Sequence, residues 1–226
     1  MSTISPSLLK FLKTLKLNNN RDWFTKNKEY YLKEENLIIN FFSKLNQNIS
    51  TIDNIESMKV YRIYRDIRFS KDKTPYKTYR SCSFKRATEE LRGGYHIEIT
   101  PGNSFIAIGF WKPNKKDLLR IRREFELDSS IIKSIFNDEK FKKIFGGFLK
   151  NKSLRIAPNG FERNHKNIEL IKKKDFIIVA KLTDKQVLSK EFLTKTNEIF
   201  RAARPFLDYM SDILTTNLNG ESTLVN

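Results

Sequence analysis

The sequence predicts one α+β domain over residues 1–226. Its antiparallel sheet is formed by about residues 60–110, with a further strand near 176–182, and is flanked by N- and C-terminal helices. Three observations carry this. Strand-like segments follow one another between residues 60 and 110 with turn signals between them. Helical periodicities bracket that region on both sides, and no helix separates consecutive strands, as a parallel α/β arrangement would require. A chain of 226 residues with 39% hydrophobic content, 18 Phe and 8 Tyr also has the material for one sizeable core.

The elements follow in order. Ser5 is placed to cap a helix over residues 5–17, with Pro6 at its first position and Leu8, Leu9, Leu12 and Leu15 on one face. Asn18-Asn19-Asn20 is a polar break, and Trp23, Tyr30, Leu37, Phe41 and Leu45 fall near helical spacing in a longer helix from about Asp22 to Leu45. Val60 to Phe69 alternates in the manner of a strand, Ser70 to Pro75 reads as a loop, and Tyr79 to Arg86 is a second strand. Tyr95 to Ile99 is a third strand, Pro101-Gly102-Asn103 a turn, and Phe105 to Phe110 a fourth strand. Asn114 is placed to cap a helix over Lys115 to Phe125, with Asp117 in its first turn. Residues 129–149 supply one or two more helices, stopped near Gly146-Gly147. Leu154 to Ile156 is a candidate edge strand, Pro158-Asn159-Gly160 a turn, and Asp175 to Leu182 a strand. Helices from Ser189 to Leu218 end the fold, with a break or kink expected at Pro205.

Cys82 is the only cysteine, so no intramolecular disulfide forms and no disulfide-linked partner is expected. With two histidines, a structural zinc site is disfavoured, and the expectation is no metal and no cofactor, although an all-carboxylate magnesium site stays open. No stretch nears the roughly 20 apolar residues of a membrane span. Lys10, Lys13 and Lys16 interrupt the apolar run Leu8 to Leu17, which argues against a signal peptide. A cytoplasmic protein without a membrane partner is expected. The formal charge of +17 points to an anionic partner or to AT-rich coding, which enriches Lys, Asn and Ile without any partner. Arginine is the better discriminator. Six of 14 arginines fall between Arg62 and Arg92, and residues 59–92 carry 11 Lys or Arg against four Asp or Glu.

Read as a strand, residues 62–69 place Arg62, Tyr64, Asp66 and Arg68 on one face and Ile63, Arg65, Ile67 and Phe69 on the other. Two guanidinium groups with a carboxylate between them can hold a phosphate or carboxylate, with Asp66 orienting an arginine. Asp66 is also the candidate catalytic base. Arg65 is a charge on the apolar face and needs a paired partner there. Lys71, Lys73 and Lys77, with Pro75 and Tyr76 among them, form a basic loop that could close over an anion. The candidate anion contacts are therefore Arg62, Arg68, Lys73 and Lys77, with Arg65, Tyr76, Trp111 and Arg122 in support. Trp111 precedes Arg120, Arg122 and Arg123 at a strand-to-helix corner, where a helix N-terminus favours anions. His96 and Glu98 share a strand face and could exchange a proton, or form the polar side of a half-buried strand. His165 lies in a polar loop. No P-loop, dinucleotide fingerprint, nucleophile elbow, zincin motif or known nucleic-acid motif occurs.

Arg62 to Lys77 resembles the signature R-x-x-R-D-x-R-F-x-x-x-K-x-P-Y-K of a widespread bacterial family of conserved hypothetical proteins, domain of unknown function 2461. Arg62, Arg65, Asp66, Arg68, Phe69, Lys73, Pro75, Tyr76 and Lys77 occupy its fixed positions. The resemblance extends to Asn18-Asn19-Asn20-Arg21-Asp22-Trp23-Phe24 with Asn27-Lys28 and Tyr31, to Gly94-Tyr95, to Gly109 with Trp111 and Pro113, and to Leu119-Arg120-Ile121-Arg122. It also takes in Pro158-Asn159-Gly160-Phe161 with His165, although Asn159 and Lys166 stand where that family more often has Lys and Pro. The resemblance implies no established activity, substrate or catalytic residue, so no enzyme class is assigned.

Three functions stand as expectations. The leading one is binding, with processing left open, of a phosphate-bearing or other anionic small molecule at the Arg/Lys/Asp cluster. The second is a nucleic-acid-binding module that stacks bases on Tyr61, Tyr64, Phe69, Tyr76, Tyr79 and Phe84. The third is a structural or protein-interaction domain whose arginines are paired internally.

Overall fold

In a computed structural model that describes residues 3–150 and 153–224, the chain opens as its cap predicts. Ser5 is extended and its side chain accepts from the Ser7 N–H, starting helix α1 (Pro6–Leu17). Helices α2 (Arg21–Lys26) and α3 (Lys28–Ile49) replace the single helix expected from Asp22 to Leu45. The interruption falls at Asn27, whose side-chain amide donates to the Trp23 carbonyl at 2.8 Å, a local bond that competes with helix propagation.

Strands β1 (Ile55–Val60), β2 (Arg80–Arg86), β3 (Gly94–Ile99), β4 (Ser104–Phe110) and β5 (Phe176–Leu182) form an antiparallel sheet in the order β1-β2-β3-β4-β5. Helices α4 (Lys115–Leu127), α5 (Ser130–Asn137), α6 (Glu139–Ile144) and α7 (Ile168–Ile171) separate β4 from β5 in the chain. Helices α8 (Asp184–Val187) and α9 (Phe192–Thr215) follow, and the fold is α+β as predicted. Alternation along the strands sets two environments. Cys82, Phe84, Ile97, Ile99 and Ile106 are each at most 1% exposed, whereas Ser83, His96, Glu98 and Phe105 between them stay half-buried. Among the described residues no helix is long and apolar enough to cross a membrane.

The chain divides into two compact units. The first takes the chain up to Phe84 with His96–Ile106 and Lys181–Glu198. In its core Phe11 of α1 meets Trp23, Tyr30 and Tyr31 with ring centroids 5.7, 5.4 and 5.9 Å apart, and Phe41 of α3 stacks on Phe192 at 5.4 Å. The second takes Lys85–Tyr95, Ala107–Ala180 and the chain from Ile199 onward. There Phe176 of β5 is edge-on to Phe125 of α4 at 5.8 Å, and Phe206 of α9 meets Phe110 and Phe148 at 6.3 and 5.7 Å. Burying each such ring contributes roughly 1.5–3 kcal/mol. Gly109 is required where β4 approaches β5. Its φ is +137°, and a Cβ there would sit 2.1 Å from the Phe176 carbonyl oxygen.

Four expectations are corrected. The strand expected from Val60 to Phe69 ends at Val60, and residues 61–79 fold back on themselves instead. The only ladder pairing there is the bridge between Tyr64 and Tyr76, flanked by Arg65 N–H to Pro75 carbonyl at 2.9 Å and Lys77 N–H to Ile63 carbonyl at 2.7 Å. It stops because Pro75 has no N–H to return to the Arg65 carbonyl, and the next carbonyl in register, that of Ile67, accepts from the Lys73 ammonium at 3.0 Å instead. Leu154 to Ile156 is no strand; among the described residues the pairing there is a bridge between Ser153 and Lys173, with the Leu154 N–H donating to the Lys172 carbonyl at 2.8 Å. The break allowed for at Pro205 does not occur, since α9 runs through it with Pro205 and Arg201 both on the exposed side. The short helices α7 and α8 were not expected.

Candidate functional site

The signature stretch is built around Arg65. Its backbone pairs with Pro75, and its half-buried guanidinium donates to Asp72 and Thr74 and, at 3.4 Å, to Ser70. One arginine thus closes the Ser70–Thr74 loop, which supplies the partner its position demands. Asp66 and Arg68 form their own exposed fork, with Arg68 Nε and Nη2 reaching the carboxylate at 3.0 and 2.7 Å and the Arg68 N–H at 3.3 Å. These bonds hold the Asp66 carboxyl down to about 2, which makes it a weak proton acceptor. Lys73 donates to the Ile67 carbonyl at 3.0 Å. Tyr76 is buried and stacks on Phe24 at 4.0 Å, so its ring is already in use. Alternation of exposure survives without a strand: Arg62, Tyr64, Asp66 and Arg68 are exposed, while Ile63 is buried and Arg65 and Ile67 are half-buried. Phe69 breaks it, standing 97% exposed.

The N-terminal motif locks this loop in place. Asn20 caps α2 by accepting from the Trp23 N–H at 2.9 Å. Asn19 turns the other way: its amide donates to the Tyr76 carbonyl at 2.9 Å and its oxygen accepts from the Tyr76 N–H at 3.1 Å. Between these parts lies an open cavity of about 590 Å³, lined by Lys16 and Asn19 on one side and by Arg65, Asp66, Asp72, Tyr76, Lys77 and Tyr79 on the other.

Lys77 is the distinctive cation. It is half-buried, its ammonium lies 5.4 Å from the Tyr61 ring centre and 5.9 Å from that of Tyr79, and among the described residues no carboxylate pairs with it. Burial lowers its pKa, and the nearby charges of Arg80 and Arg62 lower it further against a smaller opposing effect of Glu98. Arg80, 1% exposed, is consumed by Glu35 at 2.5 Å and the Tyr61 carbonyl at 2.7 Å. Arg62 is exposed, and among the described residues it has no hydrogen-bond or ion-pair partner.

His96 and Glu98 share one side of β3 as expected, and both are half-buried. His96 Nδ1 pairs with Ser83 Oγ at 2.8 Å, and burial pushes its pKa down to about 4, so the ring is neutral. Burial raises the Glu98 carboxyl, which accepts from the Thr100 hydroxyl at 2.9 Å.

The structure therefore brings Arg65, Asp66, Tyr76 and Lys77 to one cavity. Arg62, Arg68 and Lys73 belong to the same stretch but are not part of its lining. Trp111 and Arg122 belong to the second unit and do not line it. Trp111 is 45% exposed beside Lys112, which has φ +47° and donates its N–H to Asp175 at 2.7 Å. Arg122 donates to the carbonyls of Ile171 and Lys173 at 2.8 and 3.3 Å. His165 accepts from the Asn167 N–H at 3.2 Å, within a loop where Arg123 covers the Phe161 ring at 4.5 Å. Of the rings considered for stacking, Tyr76 and Phe84 are buried, Tyr61 and Tyr79 are half-buried, and Tyr64 and Phe69 are exposed. Sequence reading missed Lys16, Asn19 and Tyr79 as cavity residues; the Asn run after α1 was the available signal. Among the described residues no group of three or more His, Cys, Asp or Glu side chains could hold a metal ion.

No curated protein and no solved structure matches the chain. Residues 7–209 match the family described as conserved hypothetical protein (DUF2461), and these residues include the Arg65-centred loop, the Asn19 lock and Lys77. The chain therefore belongs to the DUF2461 family of conserved hypothetical proteins.

Proposed function

We propose that the cavity binds an anionic ligand, phosphate-bearing or carboxylate-bearing, with Lys77 as its principal contact. The supporting observation is a half-buried ammonium in a cavity wall with no carboxylate partner and with like charges near it. A cation held in that way is stabilised by any anion that replaces its lost water. Lys16, also without a partner among the described residues, lines the same cavity, and Arg62 adds to the local potential. Arg65 shapes the loop, and Asp66 engages Arg68, so these three position rather than bind. Lys73 donates to the Ile67 carbonyl and does not line the cavity.

The test is a thermal-shift screen of inorganic phosphate, pyrophosphate, nucleotides and dicarboxylates on the whole chain and on Lys77→Gln. At least one anion class should raise the melting temperature of the wild type and leave Lys77→Gln unmoved. Equal responses from both proteins to every compound would sink the reading.

A further inference from the structure

We infer that the outward side of the sheet beside Lys77 is a stacking platform for single-stranded nucleic acid. This rests on the anion reading above and names its ligand class. Three rings run side by side within the first unit: Tyr61 and His96 with centroids 5.9 Å apart, then His96 and Phe105 at 6.1 Å. Tyr79 joins through Lys77, whose ammonium lies over both tyrosine rings, and Lys59 lies 5.4 Å from the Tyr61 ring centre. The Ser83 hydroxyl holds two of the rings by their edges, donating to the Tyr61 oxygen at 3.3 Å and pairing with His96 Nδ1 at 2.8 Å. Glu98 is the acid on this strip, engaged by Thr100.

The chemistry selects the occupant. Bases stack on aromatic faces and phosphates follow lysines, which is how sequence-tolerant single-strand binding works on open sheets. A duplex hides its bases and would use only the lysines. A lipid surface calls for protruding apolar side chains, whereas these rings are half-buried, with His96 and Phe105 set in strands and Tyr61 and Tyr79 carrying hydroxyls. The strip also joins the cavity through Lys77 and Tyr79, so a phosphate held there would place its neighbouring base over the tyrosines. Charge complementarity is strong, since residues 59–84 of the first unit carry eight Lys or Arg against Asp66 and Asp72.

The experiment is fluorescence anisotropy of the whole chain with labelled oligo(dT), oligo(rU) and a duplex across a salt series, with cosedimentation on phosphatidylserine vesicles alongside. Single strands should bind more tightly than the duplex and weaken as salt rises. Tyr61→Leu and Phe105→Leu should each weaken single-strand binding about tenfold. Lys77→Gln should flatten the salt slope by about 0.7. Duplex binding equal to single-strand binding overturns the inference, and this comparison needs no variant. So does wild-type affinity in both ring variants, or binding to vesicles without binding to oligonucleotides. Phosphate or pyrophosphate shifts in the wild type separate the two readings. If those shifts persist and depend on Lys77 while oligonucleotide binding fails, only the nucleic-acid inference falls; if both are absent, both fall.

Discussion

Two arginine-bearing regions of this chain have similar composition and different fates. On α4, Arg120 donates to the Thr216 and Asn217 carbonyls and to Glu124, Arg122 to two more carbonyls, and Arg123 to Glu126. Each of these guanidinium groups is occupied by its own protein. In the signature stretch and at Arg80 just after it, Arg65, Arg68 and Arg80 are also occupied, but Arg62 and Lys77 are left over. The density of arginine is therefore a poor guide to a site. What matters is the donor that remains after the fold has taken its share.

The sharpest way to break this contrast is at Arg80. Arg80→Met leaves Glu35 half-paired in a buried setting and should cost about 3–5 kcal/mol in urea unfolding. Most of that should return in Arg80→Met with Glu35→Leu. A destabilisation below about 1 kcal/mol would show Arg80 to be less committed than its geometry indicates. Next, Arg122→Met should cost about 1–3 kcal/mol, because two carbonyls lose their donor, and should leave any anion-induced thermal shift unchanged. A lost shift would move the binding region toward α4.

An acid titration should give an effect of similar size from His96. Its pKa is near 4 when folded and near 6.5 when unfolded, so the unfolded chain takes up the proton first. This contribution is fully present above about pH 6.5 and is lost as pH falls toward 4, on the order of 3 kcal/mol. His96→Gln should flatten that part of the stability curve. Arg65→Met comes next at about 1 kcal/mol, read together with faster proteolysis between residues 66 and 74. Lys77→Gln should change stability least, within about 0.5 kcal/mol, while removing the ligand response. A large loss of stability in that variant would put Lys77 with the structural cations.

Much of the fold was legible because it is local. The caps at Ser5 and Asn114, the alternation in β3 and β4, and the apolar run of β5 each announce themselves within a few residues. The signature region misled for a physical reason. Its alternation is real in exposure, but the donor needed to extend a ladder is missing at Pro75 and the next carbonyl, at Ile67, is taken by the Lys73 side chain. Lys77 and Arg62 were identified as basic candidates, yet nothing in sequence distinguishes them from Arg65 or Arg68. That distinction lies in pairings, some with near neighbours and one, Arg80 with Glu35, across 45 positions. Lys16 and Asn19 were invisible as cavity residues because only tertiary docking brings them there.

The two bonds between Asn19 and Tyr76 span 57 positions and let one side chain stand in for a missing strand neighbour. This has a consequence for the order of assembly. The loop carrying the signature has little ladder of its own, so its shape is inherited from the N-terminal helices and arrives only after that long closure has been made. The N-terminal motif is then a mould for the signature. A fragment beginning after residue 20 would retain every signature residue and lose the form that gives them meaning.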